Sequence, residues 1–299
     1  ISAAEALPRH PEGCMLLPEG EPLTGVKAEG VVNALTVDLE DWYQGLEIDP
    51  EDWGRYEDRL AIGTLRLLDL LAEAGVRATF FVLGYAAERA PDLVREIQAR
   101  GHELGTHGYG HRFVYRLGPE GFRADLKRSL EVLAKVGSGP IRGHRAPYFS
   151  ITSGAEWAFE VLQECSITFD SSVFPVKNYR YGIPDSPRWI HDVGDGLVEF
   201  PLPTYRLGKR NIPIAGGAYF RIFPYTFTRF GLSEINSTGH AAAFYIHPWE
   251  LDPDHPRLSL ARRIRIPHYW NLKATEVRLR RLMREFRFVS MGQVLGLDA

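Results

Sequence analysis

His107 and His111, four residues apart, close the segment Gly101-His102-Glu103-Leu104-Gly105-Thr106-His107-Gly108-Tyr109-Gly110-His111. Far upstream, an apolar run ends in the acidic cluster Asp38-Leu39-Glu40-Asp41. Two imidazoles and a carboxylate are the ligand set of a hydrolytic metal site. Zinc in such a site keeps one position open for water, which becomes a nucleophile near neutral pH. Residues at i and i+4 converge on one ion from a helical turn, and a glycine-rich loop achieves the same. Alone, this spacing fits two exposed or capping histidines equally well. Its place after a short strand, with acids upstream, turns the reading toward ligation and metal-dependent hydrolysis.

Other residues extend that chemistry. Acids in a row usually mean a solvated turn, but here they follow a buried strand and precede Trp42-Tyr43. On an extended chain Asp38 and Glu40 share a face, so one can act as base while the other holds metal; Asp41 competes with Glu40 for the second role. Arg145-Ala146-Pro147-Tyr148 sets a permanent cation beside a rigid turn, where it can orient a neighbouring carboxylate and lower its pKa. The ordinary alternative is a surface ion pair. His247 ends the run Ala241–Ile246; a lone histidine there is more often structural, yet one brought near Asp38 could protonate a leaving group. Among Trp42, Tyr43, Tyr148, Phe149, Tyr219, Phe220 and Trp249, one or two are expected to stack on sugar rings, the rest to be core. Arg262-Arg263-Ile264-Arg265 reads as a solvated face, an anionic polymer being the weaker alternative.

Positioning these groups requires elements that end together. Val31–Val37 is a β-branched apolar run that predicts a buried strand delivering Asp38. A helix is expected over 60–74, stopped by Gly75, then a strand over 78–83, a helix from Pro91 to about 100 and a short strand over 102–106. The alternation continues with helices near 119–135, 154–164 and 224–236, and strands near 141–143, 166–170, 197–202 and 242–246. Strands alternating with helices predict an α/β fold, a closed or nearly closed (β/α) barrel of about seven parallel strands, with Asp38, His107, Arg145, Asp170 and His247 at strand C-terminal ends. Residues 1–30, rich in Pro and Gly, are expected to form an extended arm, and residues 251–299 a C-terminal extension packed on the barrel.

Composition bounds the function. The chain has 299 residues, 44% hydrophobic and 24% charged, as in a soluble globular protein able to bury a substantial core. A net charge of -3 gives no electrostatic case for nucleic acid, and no apolar stretch reaches the length of a membrane span. Two cysteines, Cys14 and Cys165, exclude a disulfide framework or thiolate zinc cluster while allowing a single bridge. Starting at Ile1 rather than Met fits processing or trimming, so a cytoplasmic and a periplasmic location both stay open, as does the oligomeric state.

Taken in order, the motifs resemble the polysaccharide deacetylase family, carbohydrate esterase family 4. The acidic cluster, His107-Gly108-Tyr109-Gly110-His111, Arg145-Ala146-Pro147-Tyr148, Asp170 and Ile246-His247 are similar to its five motif regions, over roughly residues 31–250. The stretches Thr36–Tyr43, Gly216-Gly217-Ala218-Tyr219-Phe220-Arg221 and His247-Pro248-Trp249-Glu250-Leu251 further resemble a branch encoded with bacterial exopolysaccharide genes.

The resemblance implies a distorted (β/α) barrel that removes acetyl groups from N-acetylated amino sugars, in a polysaccharide or its precursor. By position it makes Asp38 the general base, His247 the general acid, and His107, His111 and Glu40 (or Asp41) the ligands of a divalent ion, zinc by expectation. Arg145 would orient the base, Asp170 would tune His247, Tyr148 would offer its backbone N–H to the oxyanion, and Trp42 would border the substrate. Two departures stand out: the family's adjacent aspartates are replaced by Asp38-Leu39-Glu40, which favours Glu40 as third ligand, and His107 is followed by glycine instead of serine or threonine. The alternatives weighed are an amidohydrolase of a small cyclic amide, an O-acetyl esterase and a non-catalytic sugar binder. A two-carboxylate glycosidase would leave the histidine pair unexplained.

Overall fold

The computed structural model describes residues 30–297, so all of the expected arm but Gly30, Cys14 included, lies outside the described residues. Its strands are β1 (Val32–Leu39), β2 (Thr79–Val82), β3 (Glu103–Thr106), β4 (Gly143–His144), β5 (Phe169–Asp170), β6 (His191–Asp192), β7 (Val198–Glu199), β8 (Thr204–Leu207), β9 (Arg210–Pro213), β10 (Ala243–Ile246) and β11 (Arg287–Val289). The helices are α1 (Leu60–Ala74), α2 (Gly84–Arg89), α3 (Pro91–Ala99), α4 (Val114–Val136), α5 (Trp157–Glu164), α6 (Gly217–Ile222), α7 (Tyr225–Ser237), α8 (Arg262–Tyr269), α9 (Thr275–Glu285) and α10 (Met291–Val294).

Nine strands form one sheet in the order β10-β1-β2-β3-β4-β5-β7-β6, with β11 also on β1. All pairings in it are parallel except β6 with β7. The α/β class and the distorted barrel thus stand, in the form of a curled half-barrel sheet whose path runs from β10 to β6. β10 reaches β1 by direct pairing at one edge. Ala34 pairs with both Ala243 and Val289, which places β11 on the opposite edge of β1 from β10, so the C-terminal extension also contributes a strand.

Local sequence explains the boundaries. α1 ends where Gly75 takes a left-handed φ of 65° and donates its N–H to Ala72 and Leu71 carbonyls. α4 begins before the expected Pro119 because Gly118, at φ 65°, breaks one continuous segment into a short turn and a longer helix, the proline opening the second piece. The principal core packs Leu35, Val37, Phe80, Val82, Phe244 and Ile246 from the strands against Leu67, Leu71, Ile97, Leu232 and Leu279 from helices. A separate β8–β9 hairpin, α2, α6, α8 and the elements after α9 are not anticipated by the sequence reading.

Candidate active site

Strand register assembles the site. Val37 pairs with Ile246, so the next residues, Asp38 and His247, emerge side by side from β1 and β10, with Asp38 Oδ2 3.9 Å from His247 Nε2. Leu39 pairs with Val82 and Val82 with Thr106, which carries Glu40 and His107 to the same end of the sheet. Thr106 pairs with His144, placing His107 beside Arg145, whose carbonyl meets His107 Nδ1 at 2.7 Å. Burial is nearly complete at Asp38, Glu40, His107, His111 and Arg145.

Glu40, His107 and His111 offer ligand atoms all within 4.8 Å of one another. Glu40 Oε2 lies 2.6 Å from His111 Nε2, yet this buried oxygen has no hydrogen-bond partner, so the approach lacks hydrogen-bonding geometry. An orphaned carboxylate oxygen facing two imidazoles fits a divalent ion by donor chemistry as well as by position. Burial opposes the Glu40 charge, but His111, His247 and His107 hold its carboxyl below the usual range. Burial pushes His107 down to about 4, the neutral form that ligates.

Asp41 faces elsewhere. Its Oδ2 accepts the N–H groups of Arg59 (2.7 Å) and Leu60 (2.9 Å), and its Oδ1 that of Trp42, so it caps the start of α1. Of the two acids left open, Glu40 is the one that lies with His107 and His111. Burial raises Asp41 to about 6, partly offset by those same N–H donors.

Arg145 is fully buried and uses four donor contacts: Nε to Ser171 O (2.9 Å), Nη2 to Ser171 Oγ (2.8 Å), and Nη1 to Thr36 Oγ1 (2.7 Å) and Asp38 Oδ1 (2.8 Å). The Phe81 ring lies 4.4 Å from its guanidinium. Arginine fixed this way keeps the Asp38 carboxylate aimed. Tyr148, with a left-handed φ of 56°, sets its ring 4.4 Å from His111, and its hydroxyl accepts the Glu47 N–H.

Two expectations do not fit. Asp170 meets His144 Nδ1 at 2.7 Å and accepts from Ser172 Oγ, bracing the strand beneath Arg145 instead of touching His247. The carboxylate at His247 is Glu250, 2.7 Å from Nδ1 and also accepting the His247 N–H. Burial opposes the imidazolium, but this hydrogen bond, with Glu40 and Asp38 nearby, raises His247 to about 9. Trp42 is 1% exposed, donates to Glu57 O and stacks on His255, so it is core and cannot meet a sugar; Tyr43 and Phe220 are equally buried.

The sequence reading missed Glu250 and Arg221 as site residues. Arg221, fully buried, donates from Nε to Glu250 at 2.5 Å and from its other nitrogens to the carbonyls of Pro267, His268 and Trp270. Burial works against Glu250, yet Arg221 and His247 hold it at about 2. The available signal was spacing: Glu three residues after His247 across a proline is a capping arrangement, which the structure shows.

Residues 56–169 match the family described as polysaccharide deacetylase, and residues 171–296 one described as domain of unknown function (DUF3473). The two matches meet inside the single sheet, at the end of β5. A chitooligosaccharide deacetylase of Rhizobium leguminosarum bv. trifolii is 39% identical over 145 residues, covering 48% of this chain and 61% of the relative. A peptidoglycan-N-acetylglucosamine deacetylase of Bacillus cereus is 33% identical over 98 residues, 32% of this chain and 36% of the relative. In both, the match spans less than two thirds of the relative's length. In fold, a crystal structure described as a candidate polysaccharide deacetylase from Mycobacterium smegmatis superposes over 94% of both chains with a TM-score of 0.66 at 22% identity. With the motif order and these matches together, residues 56–169 of the chain belong to the polysaccharide deacetylase family.

Proposed function

We propose that the chain is a metal-dependent hydrolase that removes N-acetyl groups from amino sugars of a polysaccharide or its precursor. The observation that carries this reading is the pairing of an arginine-held carboxylate, Asp38, with a carboxylate-held imidazole, His247, beside the Glu40, His107 and His111 cluster. The names of the relatives support the same substrate class. The stretches 216–221 and 247–251, similar to an exopolysaccharide-associated branch, favour an exopolysaccharide as the polymer.

Glu40, His107 and His111 would hold the ion, zinc in our assignment, which would supply Lewis-acid polarisation of the acetamide and a more acidic water. Asp38 takes the proton from the attacking water as its oxygen bonds the carbonyl carbon; Arg145 keeps that carboxylate oriented. The backbone N–H of Tyr148 is the donor we assign to the developing oxyanion. His247, protonated and held by Glu250, gives its proton to the nitrogen as the C–N bond breaks, leaving acetate and a free amine.

The test is acetate release from N-acetylglucosamine oligomers with and without chelator, for wild type and Asp38→Asn. Release by the wild type should stop with chelator, and the variant should lose about 10²-fold or more in kcat while keeping its metal. Chelator-insensitive release, or a fully active variant, would overturn the reading.

A further inference from the structure

From His255 to Thr275 the chain carries four arginines and one lysine and not one aspartate or glutamate. The whole protein has 38 acids against 35 Lys and Arg, so this is segregation of charge rather than basic composition. Arg257, Arg262, Arg263 and Arg265 are exposed, and no ion pair ties any of the four to an acid among the described residues.

The segment is seated at the candidate site. Arg221 binds the carbonyls at the end of α8, Ile264 packs into the aromatic cluster of Trp42 and Trp249, and Trp249 stacks on His247 at 5.2 Å. A chain of contacts then leads from metal ligand to patch. Tyr148 lies against His111, the Arg180 guanidinium lies 4.7 Å from the Tyr148 ring, and Arg263 lies 5.9 Å from the ring of adjacent Tyr179, which is 70% exposed. Arg180 pairs with Glu47 at 3.2 Å, but its Nε–H has no acceptor. A buried donor left unsatisfied at the edge of a site is costly and marks where an acceptor belongs.

Resting on the deacetylase reading, we propose that the polymer is anionic: a carboxylate-bearing sugar neighbouring the reacting N-acetylated unit is bound by Arg180, Arg263 and the flanking arginines of α8. Guanidinium forks match carboxylates, and Tyr179 and Trp270, both exposed, offer faces for sugar rings. An acidic lipid surface is the less favoured partner. The cations come from two separate segments arranged toward the site, and α8 exposes a single aliphatic, Ile266, too little apolar area to anchor a helix in an interface.

The experiment uses the full chain and the triple variant Arg262→Ala, Arg263→Ala, Arg265→Ala. Both are assayed on an alternating N-acetylglucosamine–glucuronate polymer and on neutral N-acetylglucosamine oligomers, for acetate release and, by calorimetry, for binding. Wild type should favour the anionic polymer by about tenfold in KM and Kd at low salt, and the preference should fade near 0.5 M salt. The triple variant should lose that preference with kcat retained and neutral oligomers handled as before. Equal affinity of wild type for both polymers, or an unchanged preference in the variant, overturns the proposal. So does loss of binding to phosphatidylglycerol vesicles by the variant while its saccharide affinities stay intact. Absence of acetate release from either polymer sinks the deacetylase reading instead, and the binding arm still decides on the patch.

Discussion

At His247 the neighbour that matters is three residues away. Glu250 fixes the tautomer and favours the protonated ring, and Arg221 keeps Glu250 ionised. Glu250→Gln is therefore expected to lower kcat at least about tenfold with KM nearly unchanged, as for removal of an interaction that matters in the transition state; equal kcat would remove Glu250 from the mechanism. The two adjacent acids divide just as sharply. Glu40→Gln should lose bound metal, measured by elemental analysis of the purified protein. Asp41→Asn should keep the metal but unfold at lower denaturant, by about 1 kcal/mol for a weakened helix cap. The histidine pair could be read from sequence because its members are near neighbours on one loop. Asp41 could not be assigned, because its partners, Arg59 and Leu60, lie in a helix start whose cap contributes no recognisable residue of its own. Trp42 misled because aromatic residues after a strand look the same whether the next turn folds over them or leaves them open.

Among the elements, α1 reaches the site without contributing a group to it. Gly63 lies against the turn that follows His247, and a Cβ there would meet Pro248 O at 2.1 Å. In an exposed helix Gly→Ala normally stabilises by about 0.5–1 kcal/mol. Here Gly63→Ala should destabilise by about 1–3 kcal/mol, the cost of overpacking, and lower kcat through displacement of His247. A variant as stable as wild type in urea denaturation would contradict this packing. The long periodic segments, α1 and α3, and the apolar strands β1, β2 and β10 were legible because their hydrophobic patterns face one core. The two-residue strand β6, the β8–β9 hairpin and the Pro-containing α8 were not, since their conformations are set by neighbours in space more than by any local period.

For the molecule as a whole, the α/β class and a distorted barrel of mostly parallel strands followed from alternation. How far the curl runs was not legible, because the path ends in β6, a two-residue antiparallel strand too short to show a pattern. The cluster at the rim links ion to fold: Glu40, His107 and His111 lie on segments after β1 and β3 that would otherwise leave an orphaned buried oxygen. Adding zinc to chelated protein should therefore raise Tm in proportion to the logarithm of free metal, and His107→Ala should abolish the response. A Tm indifferent to metal in the wild type would deny the cluster that role.

Asp38 and His247, the base and acid we propose, stand on hydrogen-bonded neighbouring strands, one residue beyond the Val37–Ile246 pair, while the arginine-rich rim lies on segments outside that pairing. Inheritance can therefore act on the two separately. Substitutions accumulating in the rim change which polymer is presented, and the spacing between proton acceptor and proton donor stays tied to the pitch of the sheet. A lineage can change diet without relearning the reaction.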